Sequence, residues 1–201
     1  MTEDKSAHVT SPTSSRESRH TVSHLVNRLV IDADAPFDDL RRRYESLVPD
    51  IDVAALTALI EMGDLDKVKR YTAEHTPHTF ARFWTFDPTP MMRLLGHRTE
   101  VITYMMGNNV IVETMFRHDP AIMLYAPLRT AIYEDSAGAT HFSIDQPSTR
   151  FASFGDPRIT EVGLQLDSKL AALLQLLDLP VPGELEPTEQ ILADEGTFHD
   201  G

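Results

Sequence analysis

Trp84, Met105, His118, Tyr125, Arg129 and Tyr133, with Asp119 beside the histidine, are the side chains of this sequence whose types and spacing could do chemistry. His118 closes a helical run that stops at Asp119-Pro120. A helix C-terminus favours the charged imidazole, and an adjacent aspartate can orient it, as a general acid or base requires. The same pair also suits a plain helix stop, with the ring near the last carbonyls and Asp119 opening the turn before Pro120. Arg129 presents a guanidinium fork that fits an anionic group. With Trp84, Met105, Tyr125 and Tyr133 around it, it would stand at the mouth of a pocket for a small, partly apolar ligand. Alternatively Arg129 pairs with Glu134, Asp135 or Glu100 across a sheet.

Met91, Met92, Met105, Met106, Met115 and Met123 are read as a methionine-rich centre. Thioethers fill irregular cores or line adaptable cavities, and a Met/His pair can ligate haem or a soft metal. Core filling is the commoner use. His141 and Asp145 share a strand face without a third ligand at a diagnostic spacing, so no metal site is expected. Phosphate loops, nucleophile elbows and HExxH are absent, and no organic cofactor is implied. The chain has no cysteine, which excludes disulfides, thiolate metal sites and a cysteine nucleophile.

The charge is −13 over 201 residues, unevenly spread. From Asp178 onward there are seven acids and no Lys or Arg, while residues 1–20 hold three of each sign. The remainder is an ordinary solvated surface. No basic stripe offers phosphate contacts, so nucleic acid is not an expected partner. Repulsion from anionic lipid disfavours a membrane surface, and no apolar run approaches the ~20 residues of a span. The first residues lack the apolar core of a secretory signal, so a cytoplasmic protein is expected.

These side chains need elements to hold them. Residues 1–20, Ser/Thr-rich and without aromatics, are expected to be disordered. A strand is read from Thr21 to about Asp32, then a helix capped by Asp34 with Phe37, Leu40, Tyr44 and Leu47 on one face. Residues 50–73 read as inserted helices, the first capped by Asp52 and stopped at Gly63. A strand follows with Phe80, Trp84 and Phe86 on one side and Phe83 on the other. MMRLLG reads as a short connector, and RTEVITYMM as the next strand. Asn109 caps a short helix to about Arg117, and the apolar stretch Ala121–Pro127 packs down as a loop. LRTAIYED and THFSIDQ form a hairpin. Asp156-Pro157 starts a long helix whose Ile159, Val162, Leu166, Leu170, Leu173, Leu174 and Leu177 make one apolar face. Only a sheet is large enough to receive that face. The fold class is therefore α+β, two-layer: a mostly antiparallel sheet (strand, helix, four strands, helix) with helices on one face. Residues 21–179 form a single domain, and 180–201 an acidic tail.

MFRHDPAIMLYAPLRTAIYEDSAGATHFSIDQPS and FGDPRITEVGLQLDSKLAALL, preceded by the Gly107-Asn108 turn, resemble domain-of-unknown-function family 302, over about Val22 to Leu179. The resemblance implies a strand, a helix, four antiparallel strands and a closing helix, broadly like the fold of TATA-box-binding protein, and a homodimer. It carries no catalytic set to transfer. The expected role is binding a small, partly apolar ligand between sheet and helices. The alternatives are a cofactor-independent enzyme using His118/Asp119 as acid-base pair with Arg129 holding an anion, or an interaction module acting through 50–73 and the acidic tail.

Overall fold

The computed structural model describes residues 21–185; residues 1–20 and the acidic stretch beyond Leu185 lie outside the described residues. The strands are β1 (Arg28–Ala33), β2 (Ala81–Phe86), β3 (Val101–Gly107), β4 (Leu128–Glu134) and β5 (Thr140–Asp145). They form one sheet in the order β1-β5-β4-β3-β2, every neighbouring pair antiparallel. The helices are α1 (Phe37–Leu47), α2 (Val53–Glu61), α3 (Leu65–His75), α4 (Thr89–Leu94), α5 (Asn109–Phe116), α6 (Pro147–Phe151) and α7 (Pro157–Leu176).

Period-two alternation sorts the sheet into two unlike faces. Ile102, Tyr104 and Met106 of β3, Leu128 and Ile132 of β4, and Phe142 and Ile144 of β5 are buried. Phe37, Leu40 and Tyr44 of α1 and Ile159, Leu166, Leu170, Leu173 and Leu174 of α7 close on them as one core. The alternate residues face the other way: Met105, Arg129, Ala131, Tyr133, His141, Ser143 and Asp145 are half-buried or exposed. This α+β arrangement, with helices on one face, is the one expected.

Local chemistry sets the boundaries. Asp52 accepts the Ala55 amide at 2.9 Å to start α2, and Asp64 accepts that of Lys67 at 3.0 Å to start α3. Gly63 between them has φ 69°, the left-handed stop a glycine supplies. Before α2, Pro49 and Ile51 hydrogen-bond Arg82 in parallel, which covers the outer edge of β2. At the far end of the chain Asp156 caps α7 with Pro157 in its first turn, as expected. Gly163 brings α7 hard against α6: a Cβ there would lie 2.9 Å from Ser148 Cα.

Several expectations are corrected. β1 begins at Arg28 rather than Thr21, because its partner β5 ends at Asp145, opposite Arg28. α1 starts on Pro36 without a side-chain cap, so Asp34 does not play that part. MMRLLG lies largely in α4, which Asp87 helps to start by accepting the Thr89 amide at 2.9 Å. Asn108, not Asn109, caps α5, its side chain accepting the amides of Val110 and Ile111. Phe80 does not share a side with Trp84 and Phe86: the register shifts between Arg82 and Trp84, so Phe80 is buried while the other two are exposed. The methionines form no single centre, since Met106 and Met115 are buried but Met91 and Met123 are exposed and Met105 faces away from the core.

Candidate functional site

One transverse row crosses the open face of the sheet. Arg28 of β1 pairs with Asp145 of β5, Arg129 of β4 with Met105 of β3, and Met105 with Trp84 of β2. The β4–β5 ladder ends at Thr130 opposite Ile144, one step before Arg129 and Asp145, which joins the two halves of the row. Read across, it runs Arg–Asp–Arg–Met–Trp, from charged to apolar. Adjacent strands lie ~4.8 Å apart, so its five members span roughly 19 Å.

A concavity of about 510 Å³ opens over the charged part of this row, with Met105, Leu124, Tyr125, Pro127, Arg129 and Arg150 in its wall. The 3₁₀ turn Pro120–Leu124 delivers its rim: Ile122 is buried and anchors the turn, leaving Leu124 and Tyr125 at the edge. The stretch Ala121–Pro127, expected to pack down, does so only through Ile122 and Ala126, while Met123 and Leu124 are exposed. Tyr125 is clamped by Arg150, whose guanidinium lies 4.8 Å from the ring centroid, and by Phe154 edge-on at 5.8 Å. Arg150 also hydrogen-bonds the Asp145 carboxylate, and Arg28 Nε lies 3.7 Å from that carboxylate. Arg129 forms no ion pair among the described residues. The cross-strand partners Glu134, Asp135 and Glu100 are otherwise engaged: Glu134 accepts the Glu100 amide, Asp135 the Ala137 amide, and Glu100 pairs with Arg93.

Met105, Tyr125 and Arg129 therefore meet around one concavity. Trp84 adjoins it through Met105 and stacks on Phe86 with ring centroids 5.5 Å apart. Tyr133 shares the face but lies at the other end of β4, beside the His141 ring at 5.1 Å. His118 and Asp119 are not in its wall. Asp119 accepts the Ala121 amide at 2.8 Å and caps the 3₁₀ turn. His141 bridges Asp32 at 2.9 Å and Asp135 at 3.3 Å, and no metal-holding cluster occurs among the described residues.

The layer between sheet and helices offers far less room. Beside Phe80, Met106, Met115 and Leu166 it leaves about 20 Å³, space for one water. The concavity of about 510 Å³, by contrast, lies on the opposite side of the sheet. A hollow of about 590 Å³ along α7 is lined by its solvated face (Gln165, Ser168, Lys169). Another of about 460 Å³ is walled by charged groups that pair among themselves, Arg41 with Asp87 and Arg93 with Glu100.

A partly buried polar cluster lies beneath the sheet. Glu45 of α1 accepts the Tyr104 hydroxyl at 2.9 Å and Arg41 Nε at 3.1 Å, and lies 3.5 Å from Arg82. Arg82 is buried and its Nε finds no partner among the described residues. Burial, reinforced by the bond to Glu45, pushes the Tyr104 hydroxyl well above the usual phenol range, and burial does the same to Tyr44, which bonds Thr130 at 3.1 Å. Both stay protonated and act as hydrogen-bonding struts.

Arg28 and Arg150 escape a reading of the sequence. Only the pairing of β1 with β5 and the hydrogen bond of Arg150, on α6, to Asp145 bring them to Arg129, and neither carries a local motif.

No helix among the described residues is long and apolar enough to cross a membrane. No curated protein matches the chain. The crystal structure of an uncharacterized conserved DUF302 protein from Bacillus stearothermophilus aligns with a TM-score of 0.54 at 14% identity, over 75% of this chain and 97% of that one. At that identity the likeness speaks for the fold alone. The family model described as "Domain of unknown function DUF302" matches residues 65–177, from the start of α3 to the end of α7. The chain belongs to that family.

Proposed function

We propose that the protein binds a small, partly apolar ligand in the concavity on the open face of its sheet. The observation that supports this reading is the about 510 Å³ hollow in which Met105, Tyr125 and Pro127 stand beside Arg129, a guanidinium without an ion-pair partner among the described residues. Concave apolar walls with a few converging polar groups are what ligand sites are made of. A catalytic role for His118 and Asp119 with Arg129 gains less support, because the first two lie outside that wall. The reading takes the protein as cytoplasmic, which suits a chain with no cysteine.

The test is titration with N-phenyl-1-naphthylamine, a neutral probe that fluoresces on leaving water. A saturable rise with full-length protein, weakened by Leu124→Asp at the exposed rim, is the expected result. No saturable rise, or one indifferent to Leu124→Asp, refutes it.

A second reading concerns a second copy of the chain. The stacked and exposed Trp84 and Phe86 on the open face favour a homodimer that covers them.

A further inference from the structure

We infer that the ligand is an amphipathic anion, a carboxylate with an apolar body, whose head lies among Arg28, Arg129 and Arg150 and whose body lies along Met105 toward Trp84. This rests on the binding reading above and names the ligand class for the same site.

Charge is the first reason. Three guanidinium groups line the concavity against the Asp145 carboxylate, a local surplus of two positive charges in a chain whose net charge is −13. Asp145 is already shared, hydrogen-bonded to Arg150 and 3.7 Å from Arg28. It cannot also neutralise Arg129. That leaves a planar fork of donors suited to a carboxylate, pointing into a hollow with nothing of opposite charge to take it.

Direction is the second reason. The next residue along the row from Arg129 is Met105, and the next after it is Trp84. Two strand spacings separate Arg129 from Trp84, roughly 10 Å, the reach of a medium-length acyl chain. Thioether and indole are adaptable apolar surfaces, and Trp84 continues into Phe86. A ligand charged at one end and apolar at the other matches both ends of the row. A small inorganic anion would use one end alone.

Competition against N-phenyl-1-naphthylamine bound to the full chain tests the class, with octanoate, octyltrimethylammonium and inorganic phosphate as probes below any micelle concentration. Octanoate should displace the neutral probe at about tenfold lower concentration than the cation, the scale of one well-placed charge pair. Phosphate should displace it poorly. Arg129→Gln, which leaves Arg28 and Arg150 against Asp145, should reduce the octanoate preference, and Arg129→Glu, which brings the local charge to balance, should erase it; the side chain is exposed, so thermal melting should stay near that of the unaltered chain. Equal displacement by octanoate and the cation overturns the anionic class while leaving the binding reading intact. Displacement by phosphate as readily as by octanoate overturns the amphipathic part. A preference undiminished by Arg129→Gln, or one that survives Arg129→Glu, overturns the assignment of the head group. Failure of the neutral probe to bind at all is a failure of the binding reading itself, and the arms are thereby told apart.

Discussion

Glu45 is the residue on which most of the buried charge depends. It takes the Tyr104 hydroxyl, Arg41 and Arg82 together, while the other partner of Arg82, Asp50 at 3.0 Å, has a side chain 72% exposed. Glu45→Gln removes the better-buried countercharge and leaves Arg82, whose Nε already lacks a partner, with the solvated Asp50. Leaving a buried charge short of its partner outweighs losing a surface ion pair. The expected loss is about 2–3 kcal/mol, read as a drop in melting temperature of roughly 5–10 °C. An unchanged melting temperature would show that water reaches Arg82. Asp167 behaves differently. Its carboxylate accepts the Gln146 side chain at 2.8 Å and the Ser148 amide at 3.0 Å, yet burial raises its pKa above the ordinary value. The folded state therefore holds this proton more tightly than the unfolded chain does. Its contribution to stability is full below the unfolded value of about 4 and declines as pH rises through the raised folded value. Asp167→Asn lacks that decline and also loses an acceptor, at a cost of about 1–3 kcal/mol. The stability gap between the parent and Asp167→Asn should thus narrow as pH rises from 4 toward 7 in urea melts. A gap that widens over that interval would reverse the assigned shift.

Among the elements, α7 and α6 meet most closely at Gly163. Replacing a mid-helix glycine by alanine ordinarily stabilises a helix by about 1 kcal/mol. At Gly163 the added Cβ meets Ser148 Cα at 2.9 Å and Phe151 Cβ at 3.3 Å, so backbone rather than a flexible side-chain end must move. Overpacking of that kind costs about 1–3 kcal/mol and should win. Gly163→Ala is expected to lower the melting temperature, and a higher one would mean that α6 gives way. The elements also show what the sequence could disclose. α7, α2 and the β4–β5 hairpin were legible, because caps at Asp156 and Asp52 and a repeated apolar face are local signals. The side on which Trp84 points was not, since the shift at Arg82–Trp84 depends on pairing with β3, which no period-two pattern reports. The site was half legible for the same reason. Met105, Tyr125 and Arg129 fall within the single stretch 105–129, whereas Arg28 and Arg150 reach them only through the β1–β5 register and the bond of Arg150 to Asp145.

At the scale of the molecule, one sheet face is packed by helices and the other carries Trp84 at 46% and Phe86 at 47% exposure, at the apolar end of the row. Two forces oppose each other when copies meet there. The net charge of −13 repels, over a range set by ionic strength, while the paired aromatic rings gain by leaving water. Salt decides between two kinds of contact. If copies join through Trp84 and Phe86, raising salt from about 20 to about 200 mM shortens the screening length about threefold, weakens the repulsion and increases the dimer fraction. If copies join instead by placing acidic residues of one on the arginines of the other, the same change decreases it. Sedimentation velocity across that salt range should show the increase, with the emission of Trp84, the sole tryptophan, shifting to the blue in step. Phe86→Lys adds a charge to the apolar end and should weaken association at least about tenfold, the equivalent of about 1.4 kcal/mol for one exposed ring left in water. A dimer that falls apart as salt rises, or one indifferent to Phe86→Lys, would place the contact elsewhere.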